Sequence, residues 1–170
     1  SVYFLTVNPQ GNNKRYTPFI NDLSASLSPE PYFMHAVKFS YRNAYSQGFA
    51  GVVGAEVYSS SYDNGEGYVS SNITPASNFS ATVNNLYVSP DGPDAQFRYT
   101  AAGRVLNIRN IGVLINNTLV DDREMNYFST VNNLPYINLP LSTIASGTAK
   151  IDFKNRSAVS NDRMVVGMYE

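Results

Sequence analysis

Phe33-Met34-His35-Ala36-Val37-Lys38-Phe39-Ser40-Tyr41-Arg42 places Phe33, His35, Val37, Phe39 and Tyr41 at every second position, with Met34, Ala36, Lys38, Ser40 and Arg42 between them. Side chains of a strand alternate between its two faces, so this pattern predicts a half-buried β-strand. Ala149, Ile151 and Phe153 alternate with Lys150, Asp152 and Lys154 in the same way. Outward from these two runs, strand-like stretches fall at Val2–Val7, Phe49–Ser59, Gly67–Ser71, Leu86–Ser89, Gln96–Thr100, Arg104–Ile115, Tyr136–Leu139 and Arg163–Tyr169. Turn formers separate them: Pro9-Gln10-Gly11-Asn12-Asn13, Asp63-Asn64-Gly65-Glu66-Gly67, Pro90-Asp91-Gly92-Pro93-Asp94 and Ser146-Gly147. The expectation is an all-β chain, a single antiparallel β-sandwich of jelly-roll type with eight to ten short strands.

Helix is scarce. The best segment is 17–27, with Thr17 as N-cap, Pro18 at the first helical position and apolar Phe19, Leu23 and Leu27 at helical spacing. Pro29 and Pro31 close it, leaving one short helix or an extended loop. The core is expected to hold Val37, Phe39, Val53, Val57, Leu106, Ile108, Ile151, Phe153 and Val166, each an apolar place in a strand-like run.

The chain has 170 residues, and no composition shift or linker divides it, so one sandwich domain over 1–170 is the expected organisation. Hydrophobic residues make up 43%, enough for a core, while charged residues are 15% against the roughly 25% usual in soluble domains. Polarity comes instead from Asn, Ser, Thr and Tyr. Thr82-Val83-Asn84-Asn85-Leu86 echoes Thr130-Val131-Asn132-Asn133-Leu134, each after a Phe-Ser pair, and the Gly103–Asn110 and Gly147–Asn155 stretches are also alike. Turn chemistry in an Asn-rich chain accounts for this, with duplication of a strand pair as the alternative.

Chemistry is sparse in the composition. There are no cysteines, which removes disulfides, thiolate metal sites and Cys nucleophiles, and one histidine, which removes any site needing two imidazoles. No cofactor is expected. Net charge of −1 gives no general attraction to nucleic acid or anionic lipid, and the apolar run Phe49–Ala55 stops at Glu56, too short to span a membrane as a helix. No basic leader opens the sequence, so the compartment stays open. His35 reads as a core-edge histidine on the face of Phe33, Val37 and Phe39, with no Gly-x-Ser-x-Gly elbow to supply a nucleophile. Glu56 lies on the face of Ala50, Val52 and Gly54, where a raised pKa would suit a general acid, but it reads more simply as solvent-facing. Asp63-Asn64-Gly65-Glu66-Gly67 has oxygens without calcium-loop spacing and reads as a hairpin turn. Asp121-Asp122-Arg123-Glu124 reads as a solvated turn.

Tyrosine carries the strongest functional signal. Tyr41, Tyr45, Tyr58, Tyr62 and Tyr68 gather in one third of the chain among Ser, Gly and Asn. A rigid aromatic body with one polar tip, set among small hydrogen-bonding residues, is the composition of contact surfaces, so these five are the candidate interface or ligand residues. Two non-enzymatic roles follow. One is a structural subunit of an assembly, such as a virion capsid, spike or decoration protein that contacts copies of itself or other subunits. The other is a carbohydrate-binding or adhesive sandwich that meets a surface glycan. Both place the protein on a virion or an extracellular surface. Neither involves specific nucleic-acid binding or membrane insertion.

Overall fold

The computed structural model describes residues 28–42, 44–46, 49–52, 55–58, 67–77, 79–132 and 134–170. The chain divides into two compact units, Ser1–Glu30 and Pro31–Glu170. Residues 28–30 are what is described of the first; all that follows concerns the second. The expected strand Val2–Val7 and helix 17–27 lie outside the described residues.

Two four-stranded antiparallel sheets form the sandwich. One runs in the order β1 (Phe39–Ser40), β14 (Met164–Tyr169), β8 (Tyr99–Gly103), β11 (Thr130–Val131). The other runs β10 (Thr118–Glu124), β9 (Asn110–Ile115), β13 (Ala149–Asn155), β6 (Phe79–Val83). Three two-stranded ribbons complete the described strands: β7 (Ala95–Phe97) with β12 (Ile137–Leu139), β2 (Ala44–Ser46) with β5 (Gly67–Val69), and β3 (Phe49–Val52) with β4 (Ala55–Tyr58). Among the described residues the one helical element is a 3-10 turn, Leu141–Ile144.

The core forms where the two inner faces meet. Tyr99, Ala101, Val131, Met164, Val166 and Tyr169 from the first sheet pack on Ile111, Val113, Ile115, Ala149, Ile151 and Phe153 from the second. Phe153 is fully buried, with its ring edge-on to Tyr99 at 5.7 Å between centroids. Burying such side chains drives the two layers together at roughly 25 cal/mol per Å² of apolar surface. The period-two run at Ala149–Lys154 is thus a central strand, paired on both edges by β6 and β9. A polar contact crosses the layers: the Tyr99 hydroxyl donates to Asp121 Oδ2 at 2.7 Å, and Arg123 holds the same carboxylate. Burial, then the hydrogen bond and charge of Asp121, push the Tyr99 phenol far above the ordinary tyrosine range.

Local chemistry sets the turns. Asn116 and Asn117 join β9 to β10 with φ of 48° and 67°, the left-handed pair that a two-residue hairpin turn requires. The Asn116 amide donates to the carbonyls of Thr143 and Thr148, and its oxygen accepts from the Lys150 N–H, pinning the turn to the neighbouring loop.

Several expectations are corrected. Of the Phe33–Arg42 alternation, Phe39 and Ser40 alone form ladder pairs, with Tyr169 and Met168, at the edge of the first sheet. Residues 32–38 precede that edge outside any strand, so Val37 and His35 are exposed rather than in or beside the core, and Phe39 is exposed too. The run Arg104–Ile115 is split: 104–109 is a loop in which the Asn107 N–H bonds the Val105 carbonyl, and the strand starts at Asn110. Leu106 and Ile108 sit on that loop and face solvent. Ile151, Phe153 and Val166 are buried as expected; Val53, and the side chain of Val57, lie outside the described residues. Leu86–Ser89 is not a strand, whereas Phe79–Val83 and Thr118–Glu124 are. Asp121–Glu124 therefore belongs to an edge strand with a bulge after Leu119, not to a turn. The echoed segments lie in different sheets, Thr82-Val83 on β13 and Thr130-Val131 on β8.

Candidate functional site

The outer face of the first sheet is covered at one end and open at the other. Ladder pairs share a face, so the outward row contains Ser40 opposite Met168, Met168 opposite Thr100, and Val165 opposite Ala102, itself opposite Thr130. Val69 and Phe128 fold over Ala102 and Val165 to make a small second core. Beyond them the face is left as an open groove of about 440 Å³. Ser40, Thr100, Met168 and Thr130 line it, with Tyr41 and Arg42, Tyr68 and Val69, and Val131 and Asn132 around it.

A bulge shapes it. The register of β14 against β8 shifts between Val166 and Met168, around Gly167. A Cβ at Gly167 would meet Thr100 Oγ1 at 2.8 Å, so glycine is what leaves that hydroxyl room beside the strand. The Gly167 carbonyl accepts the Tyr41 N–H at 3.0 Å, which fastens the residues after β1 along the groove. The polar lining is Ser40, Thr100, Thr130 and Asn132, hydroxyls and an amide that both donate and accept.

Of the tyrosines singled out in the sequence, Tyr45 and Tyr68 are cross-strand partners in the β2–β5 ribbon. Their rings meet edge-to-face at 5.5 Å between centroids and stay 60% and 59% exposed. Tyr68 lines the groove. The Tyr41 ring turns the other way and packs on Phe39, Phe79 and Tyr169. Burial, then the neighbouring Tyr169, push its phenol up to about 12, so it stays a neutral group. The backbone of Tyr58 pairs with Phe49 and that of Glu56 with Gly51; their side chains, Tyr62 and residues 63–66 lie outside the described residues.

Sequence reasoning did not find Ser40, Arg42, Thr100, Thr130 or Asn132 as site residues. They come from three separate stretches of chain and meet only through strand pairing. Among the described residues no group of three or more His, Cys, Asp or Glu is placed to hold a metal ion.

A second depression of about 550 Å³ lies over the 104–109 loop, lined by Leu106, Ile108, Tyr127 and Val159 among others. Its base is rigid. Buried Arg109 uses its guanidinium on both oxygens of Asp162 and on the carbonyls of Val105, Met125 and Tyr127. Asn155, also buried, donates to Asp162 and to the Ile73 carbonyl. These groups are consumed in structure.

No family model and no curated protein matches the chain. A solved structure of the carbohydrate-binding module CBM36 in complex with calcium and xylotriose is similar at 14% identity, with a TM-score of 0.45, covering 79% of this chain and 98% of that one.

Proposed function

We propose that this protein is a non-catalytic carbohydrate-binding module, acting at an extracellular surface, that lays a stretch of glycan across the outer face of the first sheet. The observation that carries the reading is the groove itself: hydroxyls and an amide from Ser40, Thr100, Thr130 and Asn132 beside the exposed Tyr68 ring. A sugar ring offers hydroxyls around its rim and an apolar C–H face, and this lining has a counterpart for each. Groups that both donate and accept suit sugar hydroxyls, which do the same. Tyrosine adds a rigid apolar body at low cost in side-chain entropy. Among the described residues the lining is neutral apart from Arg42.

The test is a glycan array with the intact chain, followed by the same array with Tyr68→Ala. The reading expects binding to a defined class of glycans that weakens in the variant. Absence of binding to every glycan, with the fold intact by circular dichroism, rejects it.

A subunit that works by association is the second reading, and a different observation favours it: Leu106, Ile108, Tyr127 and Val159 are all exposed around the second depression. Apolar side chains gathered on a hydrogen-bonded base suit a protein contact. Sedimentation of the chain and of Ile108→Ser separates the two readings: a concentration-dependent oligomer lost in the variant supports association, and a monomer at all concentrations rejects it.

A further inference from the structure

We infer that the glycan favoured by this groove is anionic, and that Arg42 meets its charged group; the inference rests on the sugar-binding reading. Arg42 lines the groove, is exposed, and follows directly on Tyr41, whose N–H is fixed to the Gly167 carbonyl. Its position on the groove edge is therefore set by the sheet. Four other arginines are held by carboxylates, and Arg104 by the Asn72 amide oxygen. Arg98 bonds Glu170, Arg109 bonds Asp162, Arg123 bonds Asp121 and Arg156 bonds Asp122. Arg42 has no carboxylate partner among the described residues, and no carboxylate among them lines the groove. The lining thus carries one positive charge amid neutral hydroxyl and amide groups, a field that attracts an anion and repels none.

The shape of the group narrows the ligand further. A guanidinium presents a planar fork of N–H donors that matches two oxygens of a carboxylate or a sulfate. A uronic acid or a sulfate ester on a sugar ring supplies such a group next to hydroxyls, and the groove supplies hydroxyl partners next to the fork. A neutral sugar leaves Arg42 in water at little cost, so neutral relatives of the ligand still bind, more weakly. The acidic group adds discrimination on top of sugar recognition.

The experiment uses the intact chain and matched oligosaccharides in calorimetry: a glucuronate-bearing oligosaccharide, the same compound with its carboxyl reduced to an alcohol, and a sulfated analogue of the same backbone. The expected result is affinity for at least one anionic form ~10-fold above the reduced one. That preference should shrink as salt rises from 0.05 to 0.5 M, because an exposed charge pair is screened. Arg42→Gln should abolish the preference, so that the charged and reduced forms bind alike, with Arg42→Lys falling between. Preference for the uronate or for the sulfate tells which anion is the ligand group. Equal affinity for charged and reduced forms, or a preference that survives in Arg42→Gln, overturns the inference while leaving sugar binding in place. Failure of all three compounds and of the wider array overturns both.

Discussion

Arg109 donates through Nε and Nη2 to the two carboxylate oxygens of Asp162, both at 2.7 Å, and neither side chain reaches solvent. The pair ties the 104–109 loop, and through the Met125 and Tyr127 carbonyls the 125–127 segment, to the turn before β14. Taking two charges out of water costs several kcal/mol each, and full hydrogen bonding is what offsets it. Removing one partner leaves the other charged and buried. Asp162→Ala or Arg109→Met should therefore destabilise the fold by about 3–5 kcal/mol in urea unfolding. Gly103→Ala should also lower the midpoint, since its Cβ would stand 1.9 Å from Arg109 Nη1 and 2.0 Å from the Tyr127 carbonyl oxygen. Parent-like midpoints in all three variants would contradict the buried pair.

Acid should act through the same carboxylate. Burial raises the Asp162 pKa, but the hydrogen bonds from Arg109 and Asn155 outweigh it and hold the group below its ordinary value. Asp152 is also held low: burial opposes, and the Ser80 hydroxyl and Lys150 ammonium prevail. A carboxylate depressed in the folded state contributes stability in full above its unfolded value, about 3.9 for Asp, and loses it as pH falls through the folded value. Urea midpoints should stay level from neutral pH to about 5 and drop below about 4. Asp152→Asn should soften that drop; an unchanged profile would contradict the assignment for Asp152.

Alkali should act through tyrosine. Burial, then Tyr169, raise Tyr41 to about 12, and burial raises Tyr99 and Tyr169 as well. A tyrosine raised in the folded state keeps its contribution below its unfolded value of about 10 and loses it as pH climbs toward the folded value. In a spectrophotometric titration these three phenols should ionise late in the native protein and near pH 10 in urea. A native titration that superimposes on the denatured one would contradict their burial.

Core and loop positions should part sharply. Phe153 is fully buried between β6 and β9, so Phe153→Ala should cost about 3–5 kcal/mol. Ile108, 65% exposed on the 104–109 loop, should cost less than about 0.5 kcal/mol on the same change. Denaturant unfolding of the two variants decides it, and equal losses would place Ile108 in the core after all.

How far the fold was legible follows from what alternation can and cannot report. Ala149–Lys154 read true because β13 is central, so its inward row is buried along its whole length. Phe33–Tyr41 carries the same pattern, yet β1 is an edge and only Phe39 and Ser40 are paired; periodicity reports what a segment suits, not whether a neighbour exists. The run Arg104–Ile115 concealed a break because buried Arg109 counts as polar in any pattern while it is among the deepest residues in the fold. Asp121–Glu124 looked like a turn because edge strands tolerate charge. At the site, the Tyr and Ser/Gly/Asn composition pointed to Tyr45 and Tyr68, whereas Thr100, Thr130 and Arg42 carry no local signal and acquire meaning only from the sheet.

The proposed role requires that the Tyr68-flanked groove on the β1-β14-β8-β11 sheet bind a glycan. Calorimetric titration of the array's best glycan into the parent, Tyr68→Ala and Thr100→Val tests it most directly. A one-site isotherm is expected for the parent and a loss of about 1–3 kcal/mol in Tyr68→Ala, with a smaller loss in Thr100→Val and thermal melts unchanged for Tyr68→Ala. Affinity in both variants equal to the parent's would contradict it, since the glycan would then be bound elsewhere.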